Sequence, residues 1–215
     1  MKSILNMWRS SADTPSETAA QAADSQDSVF FSAALSEHGG EEVTMVPWEA
    51  RAVEVGAKRI SSGQGSKLLQ ELCAKNKYMA QLPPELTARM GEFFDFALVP
   101  SDRDVVRQDE YGNFMFFLLS GTMAVNRIQP WGEKLLLAQT RPGDLIGEMS
   151  LLDSGIRFSA CTTMTECQIA VLSAQTLDEM MVKDPHLAAA LVAVLARKLC
   201  VRLRAVSAHL GENQK

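Results

Sequence analysis

From Phe96 to Leu172 the chain is cut into short apolar runs by turn signals, and this restricts the fold more than any other feature of the sequence. Strand candidates fall at Phe96 to Val99, Val105 to Arg107, Phe114 to Leu119, Met123 to Arg127, Leu135 to Thr140, Ala160 to Met164 and Ile169 to Leu172. Between them stand Pro100-Ser101-Asp102, Gln129-Pro130-Trp131-Gly132 and Pro142-Gly143-Asp144, residues that turn the backbone rather than extend it. Short strands at this spacing close on themselves as a sandwich or barrel, here a jelly-roll-like one. A hydrophobic content of 47% is ample for its core.

Helical periodicity flanks the strands. Leu68, Leu69, Leu72 and Met79 share one face of a segment that begins at Ser66, Pro83-Pro84 interrupts it, and Glu85 to Phe94 resumes as a second short helix. Past Ser173 the helical period returns over Ala174 to Val182. Asp184 then caps a last helix that carries Pro185 at its first position and runs to about Leu210. The fold class expected is mainly β with flanking helices: N-terminal helices over 66–94, a β-roll over 96–173 and C-terminal helices over 174–210. Residues from Ser10 to Ser28 are mostly Ser, Ala, Asp, Thr and Gln with no aromatic, too little apolar surface to offset chain entropy. Val43 to Val55 alternates only weakly. Residues 1–64 are therefore expected to form a largely disordered or irregular tail, with the domain proper over 65–210.

The stretch from Ile146 to Ala160, IGEMSLLDSGIRFSA, has the outline of an anion cradle. A sharp turn at Gly147 can start a short helix whose N–H groups at Met149 and Ser150 are free for phosphate. Arg157 supplies the neutralising charge in a planar fork suited to phosphate oxygens. Glu148 repels a phosphate but accepts a hydrogen bond from a sugar hydroxyl. A ribose phosphate satisfies all three residues together.

This stretch resembles the phosphate-binding cassette of the cyclic nucleotide-binding domain family, which includes the catabolite activator protein and the protein kinase A regulatory subunit. The resemblance runs from about Leu82 to Leu210. NFMFFLLSG from Asn113 to Gly121 is similar to the family's strand pair closing at a Ser-Gly turn, and RPGDLIGE from Arg141 to Glu148 to its lead-in. The resemblance implies backbone contacts to the cyclic phosphate from Gly147, Met149 and Ser150. It gives the ribose 2′-hydroxyl to Glu148 and an exocyclic oxygen to Arg157. Phe158 and Ser159 stand where the family has two small residues, so a bulky ring is expected to crowd the phosphate or pack against the base. Asp109 in QDEYGN stands where the family turns on glycine; positive φ is strained there, less for Asp than for most residues. In relatives that prefer cyclic GMP, a Thr or Ser after the arginine bonds the guanine amino group, which Phe158 cannot do. Cyclic AMP is therefore the expected ligand and cyclic GMP the second candidate. In the resembling gene regulators neighbouring hydroxyl residues of the last helix reach the purine; here the matching positions hold Arg202 and Leu203, so adenine recognition by that route is missing, though Arg202 can stack on a base.

Val192, Ala196, Leu199, Leu203, Val206 and Leu210 recur at spacings of four and three, a seam that suits either a homodimer or packing of one amphipathic helix on its own barrel. A net charge of -5 gives no global field toward nucleic acid or anionic lipid. The N-terminus lacks a signal-peptide run and no segment has the roughly 18 apolar residues of a membrane helix, so a cytoplasmic protein without membrane contact is expected. Cys73, Cys161, Cys167 and Cys200 are widely spaced, which suits reduced structural thiols. His38, His186 and His209 lie outside the strand candidates, against a metal-dependent cupin, and the stretch from Gly63 to Lys67 has the wrong order for a phosphate-binding P-loop. Neither a cofactor nor an enzyme's set of nucleophile, base and metal is expected. The sequence ends at Lys215, five residues past Leu210, so DNA reading is not expected. Two functions follow: a ligand-operated regulatory module that signals through an unknown protein partner or its own dimer, or a nucleotide-free scaffold of the same fold.

Overall fold

The computed structural model describes residues 45–76 and 78–212. The expected tail from Ser10 to Ser28 lies outside them. In chain order the elements are α1 (Trp48–Glu54), β1 (Lys58–Arg59), α2 (Ser62–Lys75), α3 (Pro84–Met90), a 3-10 turn (Gly91–Phe93), β2 (Asp95–Val99), β3 (Asp104–Val106), β4 (Phe114–Ser120), β5 (Met123–Ile128), β6 (Lys134–Thr140), β7 (Leu145–Ile146), α4 (Glu148–Asp153), β8 (Ala160–Thr163), β9 (Cys167–Ser173), α5 (Ala174–Lys183) and α6 (Pro185–Glu212). All strand pairs within the two sheets are antiparallel; one sheet has the order β1-β2-β9-β4-β7 and the other β3-β8-β5-β6. The β-roll with flanking helices and a long C-terminal helix is thus the fold that the strand pattern predicts.

β4 shows why the sandwich closes. Its alternate residues Phe114, Phe116 and Leu118 face the apolar layer shared with Val105, Met123 and Cys161 of the second sheet. Met115, Phe117 and Leu119 face the layer under the helices, with Leu69 of α2, Leu177 of α5 and Leu191 and Leu195 of α6. A strand buried on both faces reads as an unbroken apolar run. The helices approach the sheet closely: a Cβ on Gly65 of α2 would lie 2.1 Å from the Phe96 ring. Ser61 caps α2 and Ser173 caps α5 through their side chains, and Pro84 opens α3, so local chemistry fixes where the helices start.

The expectation of an irregular segment up to residue 64 is corrected. α1 is a helix with Trp48 1% exposed, and it fills one end of the inter-sheet layer together with Ala52 and Val55. The helix forms because these three residues share one face and the roll has an apolar end to receive them. The ordered unit therefore begins before residue 65, and α2 itself starts at Ser62. Two edges remain bare. Leu135, Leu136 and Leu137 of edge strand β6 are all exposed, as are Leu203 and Val206 on α6. Cys73, Cys161 and Cys167 are buried, whereas Cys200 on α6 is exposed.

Candidate functional site

Gly147 takes φ 85°, a left-handed turn that β7 needs to break into α4 without a side-chain clash. No side chain caps α4, so its first-turn N–H groups are not taken by a cap. Of the residues it carries, Glu148 is 2% and Ser150 3% exposed, while Met149 faces outward.

Arg157 lies beneath this turn and is only 4% exposed. Its Nη1 donates to the Gly147 carbonyl at 3.0 Å and its Nη2 to the Phe114 carbonyl at 2.5 Å. The guanidinium carbon sits 4.8 Å from the Phe114 ring centroid. Backbone dipoles and an aromatic face thus hold the charge, which leaves other N–H donors of the five-donor guanidinium for an anion. Burial pulls its pKa down to about 10, with Arg51 adding repulsion and Glu148, Glu110 and Asp153 opposing the shift. Two glycines make room for it. A Cβ on Gly147 would stand 2.6 Å from Nη1, and one on Gly112 would stand 2.8 Å from Nε. Gly112 is a site residue that sequence reasoning missed, since the clash that requires glycine there is with a residue far along the chain.

Glu148 is ion-paired with Arg202 of α6. Arg202 therefore enters the site through the carboxylate expected to hold the ribose hydroxyl, a different role from the base stacking assigned to it above. One turn earlier on α6, Lys198 donates through Nζ to the Leu145 carbonyl at 2.9 Å. It too was missed by sequence reasoning, because α6 and β7 meet only in the folded state. Phe158 does not crowd the phosphate side. Its ring is 53% exposed and stacks under Arg127 at 4.0 Å from the centroid, while Arg127 also donates to the Phe158 carbonyl. Ser159 follows, half-buried. Asp109 adopts φ 63°, the positive value expected of it. The fold thus brings Arg157 against Gly147 and Arg202 against Glu148, with Met149 and Ser150 on the same short helix, whereas the Phe158 side chain turns to Arg127 instead.

Lys198 gives the site a pH dependence. Burial lowers its pKa from 10.5 to about 8, against the attraction of Glu148. Between those values the unfolded chain binds the proton and the folded one does not, so this group makes stability rise with pH from about 8 to 10.5. Lys198→Met is expected to flatten that rise in urea unfolding at pH 8 and pH 10. An unchanged slope would contradict the burial of the amine.

Residues 98–184 match the family model of the cyclic nucleotide-binding domain. The chain is 28% identical over 131 residues to a CRP-like cAMP-activated global transcriptional regulator of Mycobacterium tuberculosis, covering 61% of this chain and 58% of that protein. It is 30% identical over 118 residues to the cyclic AMP receptor protein of Thermus thermophilus, covering 55% of each. Among solved structures, a cyclic nucleotide-binding domain from Methylobacillus flagellatus KT superposes with a TM-score of 0.65 over 73% of this chain and 89% of that one. Its 20% identity speaks for the fold alone. The match spans little more than half the length of these curated relatives.

Proposed function

We propose that this chain, whose residues 98–184 form a domain of the cyclic nucleotide-binding family, is a regulatory module that takes cyclic AMP at Arg157 and passes the event to a protein partner or a second copy of itself. The observation that carries this reading is the buried Arg157, with its charge on two carbonyl oxygens and glycines packed around it. A guanidinium taken out of water is costly unless an ion compensates it, and a cyclic phosphate is such an ion. Glu148 offers its carboxylate to the ribose hydroxyl beside Arg202, and Met149 and Ser150 offer backbone N–H groups. The relatives' names, cAMP-activated regulator and cyclic AMP receptor protein, agree with this ligand. Phe158 has no hydroxyl for a guanine amino group, which favours cyclic AMP over cyclic GMP.

The outward-facing Phe158 ring does not crowd the cassette, which favours the ligand-operated module over a nucleotide-free scaffold. The exposed Leu203 and Val206 of α6 support the homodimer; the side chain of Leu210, the last residue of the seam, lies outside the described residues. The proposal assigns the cytoplasm as compartment and no membrane partner; among the described residues no helix is long and apolar enough to cross a membrane. It includes no catalytic step, because the cassette supplies ligands for phosphate and hydroxyl rather than a nucleophile with its base.

The test is a thermal-unfolding titration with cyclic AMP and cyclic GMP. A ligand that binds only the folded state adds about 2.7 kcal/mol at a hundredfold excess over Kd. The expected result is a rise with cyclic AMP at least as large as with cyclic GMP, and a dimer by light scattering on the same samples. No rise with either nucleotide at millimolar concentration would overturn the ligand, a clear guanine preference would overturn the choice between them, and a monomer throughout would remove the dimer.

A further inference from the structure

α1 lies upstream of the family-matched residues, yet it is tied to the phosphate arginine by an unbroken series of contacts. Arg51, in the middle of α1, is 2% exposed. Its Nη1 donates to Glu54 at 2.5 Å and its Nη2 pairs with the Glu110 carboxylate. The backbone of Glu110 in turn accepts the Arg157 N–H at 2.8 Å, and the neighbouring Asp109 N–H donates to the Arg157 carbonyl at 2.9 Å. Tyr111 completes the clamp. It bridges Ile156 on one side and Met45 on the other, and its carbonyl accepts the Val46 N–H at 3.0 Å. The loop that fixes the backbone of Arg157 is therefore itself fixed by residues 45–51.

Charge gives this clamp a second role. Arg51, Glu110 and Arg157 line one cavity of about 10 Å³, so they compete at close range. Glu110 is the carboxylate that lines this cavity, and Arg51 and Arg107 both pair with it. Glu110 already attracts the Arg157 charge, but a carboxylate shared with two other arginines neutralises it only in part. Without Arg51, Glu110 would be left to neutralise Arg157 from inside the protein, in the place of an external phosphate.

We infer that Arg51 is a positioning residue of the ligand site: through Glu110 it fixes the loop behind Arg157 and keeps that arginine's charge available to the ligand's phosphate. The inference rests on the cyclic nucleotide reading above and adds a consequence to it. Docking of α1 and occupation of the site are coupled, so ligand tightens the segment from Met45 to Val55, and loosening that segment weakens ligand.

The experiment measures cyclic AMP affinity by calorimetry for the full chain, Arg51→Lys and Arg51→Met, with amide hydrogen exchange on the full chain with and without cyclic AMP. Arg51→Met is expected to weaken binding by about tenfold, a size typical of coupled neighbours. Arg51→Lys, which keeps a cation for Glu110, should recover most of the loss. In the unmutated chain cyclic AMP should slow exchange across Met45 to Val55. Full affinity in a folded Arg51→Met, or the same loss in both variants, overturns the inference. Should Arg51→Met fail to fold, unslowed exchange over that segment overturns it alone. If the unmutated chain does not bind cyclic AMP, the function proposed above fails first and this inference falls with it.

Discussion

Arg157→Ala is expected to reduce cyclic AMP affinity by tenfold or more while the protein stays folded. A hydrogen bond to a charged group contributes about 1.5 to 3 kcal/mol, which is roughly 10- to 150-fold in Kd. The side chain contributes less to the fold than its burial suggests. Its two donors go to the Gly147 and Phe114 carbonyls, but taking the charge out of water offsets those bonds. Loss of binding with stability nearly retained is thus the signature of a group kept for its ligand. Calorimetry with cyclic AMP and urea unfolding read the two quantities. Unchanged affinity would remove Arg157 from the site, and with it the assignment of the cassette.

The second large effect is on stability. Trp48→Ala should cost about 3 to 5 kcal/mol, the usual loss for a large aromatic taken from a core. Trp48 is 1% exposed and meets Phe114 edge to face at a centroid distance of 5.6 Å. Removing it opens the end of the inter-sheet layer that α1 covers. It also withdraws the edge partner of the ring on which Arg157 stacks, so ligand affinity should fall in the same variant. A loss below about 1 kcal/mol in urea unfolding would mean that α1 is not docked on the roll.

The strands were legible because their signal is local. All seven predicted runs correspond to strands of the roll within two residues at either end. β1 and β7, with two residues each, carry too little pattern to be seen. α1 was missed for a different reason. Trp48, Ala52 and Val55 do lie on one helical face, but a seven-residue helix has little tendency to form alone. Only the open end of the roll decides the matter, and no local window reports it. The cassette shows the same division. Gly147, Glu148 and Arg157 announce themselves by residue type and spacing, whereas Gly112 and Lys198 owe their roles to contacts 45 and 53 residues away along the chain. Phe158 looked like an obstruction because a sequence gives a residue's bulk but not its direction; Arg127, on a neighbouring strand, holds the ring outward.

The burial of three cysteines has a practical consequence. Burial pushes the Cys73 thiol up to about 11 and the Cys161 thiol up to about 12, and it raises Cys167 as well. Thiols held in the protonated form and shielded from solvent react slowly with maleimides and iodoacetamides. Cys200 is exposed, two residues from Arg202 on the helix that reaches Glu148. The native protein can therefore be given a fluorophore at one place without engineering, and that place is on the element whose contact with the cassette a bound ribose would disturb. A dye at Cys200 would report movement of α6 directly, and a second labelled position appearing on warming would mark the opening of the roll.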